Sequence, residues 1–220
     1  MILGIYGAGG LGREIFGFAT WVNGNTNKWK KVIFIDDADF NQTDGDVEIY
    51  KLEYVLQEYS QDQLEIVIGQ GEPLLREILL NKVEEAGYKL ATLVHPKASI
   101  SSKAIIEPGV IINSDKVAIS TEVTIKKNSL IQPFVAIGHD TTIGENSIVS
   151  AFSTIAGNCN IGKNVYISMH TAIKENIVIG NNSIIGMGSM VTRDVPENYT
   201  VFNRNTKMAP HDPGTKVFGT

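Results

Sequence analysis

Residues 137–162 read IGHDTTIGENSIVSAFSTIAGNCNIG, with an aliphatic side chain at every sixth position. A helix repeats near 3.6 residues and a strand near 2, so neither accounts for this spacing. The series begins earlier, at Ile100, Ile106 and Ile112, slips by one residue, and resumes at Ile119. It then runs to Val191, and each of its thirteen positions from Ile119 on is Ile or Val. A fixed short unit stacked on copies of itself is the signature of a parallel β-helix. Each hexad predicts one short strand and one corner, and three hexads close a triangular coil. The Ile or Val points inward, where β-branched side chains stack between coils ~4.8 Å apart. Gly138, Gly144, Gly162 and Gly180 follow their aliphatic neighbours, where a larger side chain would crowd the corner.

Ahead of the series the grammar differs. MILGIY reads as a buried strand, GREIFGFATWV as the helix after it, KVIFIDD as a second strand and LEIVIG as a third. LEYVLQEYS is a short helical stretch between the last two. PLLREILLNKVEEAGYKL predicts a helix that opens on proline and fades at Gly87, with Leu74, Leu75, Ile78, Leu79, Val83 and Ala86 on one face. ATLV predicts a fourth strand. Strands alternating with helices imply a parallel, Rossmann-like α/β domain. The expected division is 1–94 for this domain, 95–193 for the β-helix and 194–220 for a polar tail that loses the period and runs along the outside or lacks order.

The composition is that of a soluble globular protein, with 43% hydrophobic and 20% charged residues. A net charge of −5 lacks the electrostatic footprint of a nucleic-acid binder. The single cysteine, Cys159, excludes an intrachain disulfide and fits a reducing compartment. The start has no charged region ahead of an apolar run, and no apolar stretch is long enough to span a bilayer. These features predict a cytoplasmic protein with neither nucleic-acid nor membrane partners.

Two places carry chemistry. Gly7 to Gly12 contain G-x-G-x-x-G between a strand and a helix, where backbone N–H groups and the helix N-terminus suit a phosphate. Asp36, ending the second strand, stands where a carboxylate would bind a ribose, so the literal reading is a dinucleotide site. Against that, the α/β half is too short for a second mononucleotide unit. His139 is either a polar corner residue or an acid–base catalyst, and a neutral imidazole suits the latter at cellular pH. Cys159, inside a repeat, reads as packing rather than as a nucleophile.

IYGAGGLGREI, IFIDD, VIGQGEPLLR, LVHPKASIS, IGHD, AGNCNIGKNVYI and IIGMGSMVTRDV together make the chain similar to a known family. It resembles the bacterial hexapeptide-repeat sugar acyltransferases, which include sialic acid O-acetyltransferase-like proteins and N-acetyltransferases acting on nucleotide-linked 4-amino sugars. The resemblance covers almost the whole chain and implies a left-handed β-helix. It further implies a homotrimer with acetyl-CoA held between neighbouring prisms and no metal. By the same resemblance His139 is the general base and Asp140 its carboxylate partner, in a G-H-[DE] motif where many relatives have Glu. Ile148, Gly157, Met169 and Met187 would line the acetyl-CoA groove, with backbone N–H groups around Gly157 facing the oxyanion. Gly9, Gly10, Leu11, Asp36, Asp37 and Gly69 would bind the nucleotide-sugar acceptor. Some relatives have a histidine where this chain has Ile148. His95-Pro96 would begin the prism, His170 would be structural, and Lys207 would match a lysine of a G-x-P-A-K motif whose other residues are replaced.

The expected function is acetyl transfer from acetyl-CoA to the amine of a nucleotide-linked 4-amino-4,6-dideoxy sugar, for surface-glycan synthesis. O-acetylation of a sugar such as sialic acid is the alternative enzyme, and a nonenzymatic nucleotide-binding scaffold the alternative class. A zinc-dependent carbonic anhydrase on the same prism needs three converging histidines. His95, His139, His170 and His211 are too scattered along the coils for that.

Overall fold

In Ile2–Tyr6 (β1) every residue after the first is buried, because both faces of this strand are covered. The structure, a computed structural model, describes residues 1–38 and 47–202. Around β1 lie Lys31–Ile35 (β2), Ile49–Tyr50 (β3), Leu64–Ile68 (β4) and Lys89–Leu90 (β5), all parallel in the order β3-β2-β1-β4-β5. Gly10–Thr26 (α1) buries Ile15 and Ala19 against Leu3, Ile5 and Val67 on one face. Leu52–Glu58 (α2) and Pro73–Glu85 (α3) cover the other, where Val55 and Val83 meet Ile33, Ile35 and Ile66. The expected fourth strand is divided. Lys89–Leu90 completes this sheet, whereas Leu93–Val94 (β6) pairs with Ile111–Ile112 of the repeat. The Ala91 N–H still bonds Ile66 O and the Leu93 N–H already bonds Val110 O, so the chain changes sheets within three residues.

From Ser99 the chain winds as a triangular prism of two-residue strands in three parallel sheets. The first face runs from Ser99–Ile100 to Met190–Val191, the second from Ile105–Ile106 to Val178–Ile179, and the third from β6 to Thr200–Val201. Ile119 lies over Ile100 and under Ile137, Ile125 over Ile106, Ile131 over Ile112, and so on up the stack. Their side chains form one continuous buried core. The slip between Ile112 and Ile119 is one extra residue in the corner 113–117, which leaves the registers intact. Past residue 194 the expected loss of structure does not occur at once. Val195 bridges Ile179, and Thr200–Val201 pairs with Ile184–Ile185, so a shortened coil continues to 201.

From Glu122 to Gly188 each corner contains one residue of positive φ, again six apart. The first edge has Glu122, Asp140, Asn158 and Asn176, the second Gly109, Asn128, Asn146, Asn164 and Asn182, and the third Phe134, Phe152, His170 and Gly188. Asparagine tolerates this region better than most residues. At the second edge the amides also bond one another up the prism, Asn128 to Asn146 (2.8 Å), Asn146 to Asn164 (3.1 Å) and Asn164 to Asn182 (3.2 Å). The corner glycines are needed for space. A Cβ on Gly144 would lie 2.3 Å from the carbonyl oxygen of Gly162.

Helix α3 keeps only the second half of its apolar pattern inside, with Val83 buried and Leu79 and Ala86 packed against the same core. Leu74, Leu75 and Ile78 are exposed, and the buried line is Pro73, Arg76, Leu80 and Val83. The reason is Arg76, which is fully buried between the sheet and the second edge. Its Nη1 donates to Ile68 O (3.0 Å) and Gln70 O (2.8 Å), its Nη2 to Asn128 O (2.6 Å) and Oδ1 (2.9 Å), and its Nε to Asn128 O (3.1 Å). Burial pushes the guanidinium down to about 9, still above neutrality, so it remains a cation among carbonyl acceptors. Glu77 to Asn164 (2.8 Å) and Glu84 to Lys127 (2.8 Å) extend the same seam. Ile111, Leu130 and Ile148, outward on the third face, are buried in the core of the α/β domain.

Candidate active site

His139 stands at the first edge, where the chain turns from Ile137 on the first face to Thr142 on the second. Its Nδ1–H donates to Asp140 Oδ2 at 2.7 Å. That bond fixes the tautomer and leaves the Nε2 lone pair free to accept a proton. Both side chains are open, 61% and 56% exposed. Asp140 has positive φ, which turns its carboxylate back to its neighbour. The imidazole fills the space beside Gly157 one coil above, where a Cβ would sit 2.7 Å from both Cε1 and Nε2. The N–H groups on either side are occupied, Ala156 by Ile173 O and Asn158 by His139 O. The Gly157 N–H between them has no acceptor among the described residues. Base, carboxylate, small residue and free donor thus meet at one edge.

The other expected groove residues do not share that edge. Met169 and Met187 are exposed at the third edge of the same chain, joined by the Gly188 N–H to Met169 O bond. Ile148 is on the third face, buried against the α/β domain, and meets neither group. It belongs to the interdomain core and borders the cleft beside Gly10 and Leu11.

The glycine-rich loop forms the second centre. Gly7 has φ +113°, and a Cβ on Gly12 would lie 1.9 Å from Gly7 O, so strand, loop and helix meet in backbone contact. Gly69 closes the same knot, 2.9 Å from Gly7 O by the same test, so its glycine serves packing and it is buried. Gly9 and Gly10 face open space. Gly10 and Leu11 line a cleft of about 250 Å³ with Glu14, Gly71, Gln132, Ile148, Ser150 and Tyr166. Gly71, Glu14, Gln132 and Ser150 were not legible as site residues, because the cleft joins two domains whose packing no local motif encodes.

The two aspartates are engaged internally. Asp36 accepts the Ala8 N–H (2.8 Å) and the Ala38 N–H (2.9 Å), bracing the loop. Asp37 accepts Tyr6 OH (2.5 Å), Lys82 Nζ (2.7 Å) and the Leu52 N–H that starts α2 (3.1 Å). Partial burial opposes ionisation of Asp37, but these donors outweigh it and hold its carboxyl below the usual range. The same burial, with Asp37 adjacent, pushes the Tyr6 phenol up. Both carboxylates thus brace the backbone around the glycine-rich loop and the start of α2, and the Asp37 side chain stays 40% exposed.

Cys159 is buried, with Sγ 3.2 Å from Lys174 O, and burial pushes its thiol up, which suits packing. His95 stacks on Trp21 at 4.6 Å, at the junction of the domains, and His170 stacks on Phe152 at 5.0 Å. Among the described residues no three His, Cys, Asp or Glu converge as metal ligands. Asn203, Asn205, Thr206, Lys207 and His211 lie outside the described residues.

The prism with a basic nitrogen at its edge, joined to a glycine-loop α/β domain, defines a two-domain hexapeptide-repeat protein. Residues 3–83 match the family described as PglD N-terminal domain. Residues 122–157 and 158–193 match bacterial transferase hexapeptide (six repeats). These two matches cover the two halves on which the resemblance rests. Among solved structures, the acetyltransferase domain of PglB from Neisseria gonorrhoeae is 23% identical, over 94% of this chain and 98% of that one, with TM-score 0.65. PerB from Caulobacter crescentus, solved with CoA and GDP-perosamine, is 21% identical over 96% and 98%, with TM-score 0.73. WeeI from Acinetobacter baumannii AYE is 21% identical over 94% and 99%, with TM-score 0.58. At these identities the likeness is one of fold. A sequence search of curated proteins gave no match.

Proposed function

We propose that the protein is a cytoplasmic acetyl-CoA-dependent N-acetyltransferase acting on a nucleotide-linked 4-amino-4,6-dideoxy sugar, for surface-glycan synthesis. The observation that carries this reading is His139, oriented by Asp140 and set against Gly157, whose N–H has no acceptor among the described residues, at an open prism edge. The sugar amine attacks the thioester carbonyl while His139 Nε2 takes its proton. The Gly157 N–H donates to the oxyanion of the tetrahedral intermediate. Collapse breaks the C–S bond, and the imidazolium returns the proton to the CoA sulfur, so base and acid are one residue. The Asp140 carboxylate stabilises the imidazolium between the two steps. Residues 1–94 hold the acceptor, with its phosphates on the backbone N–H groups of Gly9 and Gly10, where no side chain blocks the approach, and residues 95–193 hold the donor. PerB, a fold neighbour solved with CoA and GDP-perosamine, supports this pair of substrates.

The same geometry supports the expected homotrimer. The acceptor cleft opens on the third face, and His139 stands at the edge between the other two faces. One chain cannot bring them together, so the site takes its base from a second copy. The cleft faces the coils of Leu130, Ile148 and Tyr166, and His139 lies within the coil from Ile131 to Ile148. Rotation about an axis parallel to the prism keeps these heights level.

The test is thiol release from acetyl-CoA against a panel of nucleotide-linked 4-amino sugars, with wild type beside His139→Ala. Turnover of one amino sugar, lost in the variant while CoA still binds, is expected. Turnover on sialic acid alone would move the reading to O-acetylation, and silence on every acceptor would overturn it.

A further inference from the structure

The N–H of Gly157 is one end of a peptide whose other end is the carbonyl of Ala156. On either side the backbone is held by neighbouring coils. The Ala156 N–H bonds Ile173 O (3.0 Å), the Asn176 N–H bonds Gly157 O (3.1 Å) and the Asn158 N–H bonds His139 O (2.7 Å). Among the described residues Ala156 O accepts only from the hydroxyl of Thr141, 3.1 Å away. Rotating this peptide changes ψ of Ala156 and φ of Gly157, and glycine accepts either sign of φ. Backbone preference therefore does little to hold it, and the Thr141 bond decides its orientation. The C=O and N–H of a planar trans peptide point in opposite directions, so fixing Ala156 O toward Thr141 turns the Gly157 N–H away from that hydroxyl.

Thr141 is placed to make that bond. It is fully buried, at the position that is Val123, Val135 and Val165 in other hexads. Its Oγ1 accepts the Cys159 N–H at 3.2 Å, which leaves the hydroxyl proton to be donated. Two carbonyls are in reach, Ala156 O at 3.1 Å and His139 O at 3.3 Å. His139 O already takes the Asn158 N–H, whereas Ala156 O would otherwise be left unmade, so the proton goes to Ala156 O. The same contact braces other corners, from Ser129 to Gly144 O and from Ser147 to Gly162 O, both 2.8 Å. At Ser147 the far end of the held peptide, the Lys163 N–H, is spent on Asn181 Oδ1 (2.9 Å). At Thr141 the far end is the donor beside His139. A bond received at the carbonyl also polarises the peptide and makes its N–H the stronger donor.

We propose that Thr141 is a positioning residue for acetyl transfer, holding the Ala156–Gly157 peptide with its N–H aimed at the oxyanion. The proposal rests on the acetyltransferase reading, in which that N–H is the donor. Steady-state kinetics and crystal structures compare wild type with Thr141→Val and Thr141→Ser. Valine occupies the equivalent position in three other hexads, so the far-ultraviolet circular dichroism is expected to be unchanged. Thr141→Val is expected to lower kcat by roughly 10–10²-fold, short of the roughly 10²–10³-fold for an oxyanion donor removed outright. KM for acetyl-CoA and for the acceptor should stay within about twofold, because the bond matters in the transition state and not in the ground state. The pH profile should keep its shape, since the base is still His139. Thr141→Ser restores the hydroxyl and should recover most of kcat. In the crystal, the Ala156–Gly157 peptide should keep one orientation in wild type and in the serine variant, and turn in the valine variant. Should Thr141→Val misfold, Thr141→Cys, which replaces the hydroxyl by a weak S–H donor, is read the same way. Wild-type kcat in a folded valine variant, an unturned peptide, or a serine variant no better than valine would overturn the proposal. A peptide that turns in the valine variant, with no thiol release from wild type on any acceptor, would support the brace and overturn the acetyltransferase reading.

Discussion

At Gly157 one methyl group decides whether the imidazole of His139 can lie where it does, since a Cβ there would stand 2.7 Å from Nε2. Gly157→Ala should therefore keep the fold and lower kcat/KM roughly 10²-fold, the cost of a reacting group displaced by about an ångström. Circular dichroism and steady-state kinetics on the same sample check both halves. His139→Ala should lower it by roughly 10²–10⁴-fold, the range for a lost general base. The consequence of Asp37 is stability. Its folded pKa lies below the ordinary 3.8, despite partial burial, because Lys82, Tyr6 and the Leu52 N–H hold the anion. A carboxyl depressed in the folded state stabilises above its unfolded pKa, and this is lost as pH falls through the folded value. Asp37→Asn should thus be less stable than wild type at pH 7, and the difference in urea midpoint should shrink as the pH falls below 3.8 toward the lower folded value. A difference that persists unchanged in acid would remove the ion pair as its cause.

Among the elements, α3 joins the two domains, and it does so through a cation. Arg76→Met would strip the donors from the carbonyls of Ile68, Gln70 and Asn128, each buried acceptor left unmade costing about 1–3 kcal/mol. The denaturant midpoint should fall accordingly, and the KM for the acceptor should rise, because Ile68 and Gln70 flank Gly69 beside the cleft. Arg76→Lys should recover only part, since an ammonium lacks the planar fork that spans three carbonyls. None of this was legible in the helix itself. Leu74, Leu75 and Ile78 dominate its apolar pattern, whereas the decisive partner, Asn128, lies 52 residues further on. The prism is the opposite case. Its Ile and Val series records strand, face and register together, because each coil repeats the environment of the last. The pair His139-Asp140 was legible for a similar reason, being adjacent in sequence and in space. The internal bonds of Asp36 and Asp37 were not legible, because a sequence shows the carboxylate and not the N–H groups that it accepts from.

In the whole molecule, one chain carries the cleft proposed for the acceptor on its third face and the proposed base, His139, on the edge between the other two faces. A site split between copies makes a prediction that a site within one chain does not. Gly10→Asp introduces a negative charge where the acceptor phosphates approach, in the first turn of α1, where an acidic residue favours the helix. The variant should fold and assemble but lose turnover, as should His139→Ala. Co-expression of the two inactive chains, each with its own affinity tag, yields mixed assemblies that can be purified through both tags. Wherever a Gly10→Asp chain lends its intact His139 to the intact cleft of a His139→Ala neighbour, one site is whole. In a ring of three, both mixed compositions contain one such junction, so the doubly tagged fraction should recover about one third of wild-type activity per assembly. If instead base and cleft belong to the same chain, every site in the mixture is defective, and the doubly tagged fraction should be as silent as either parent.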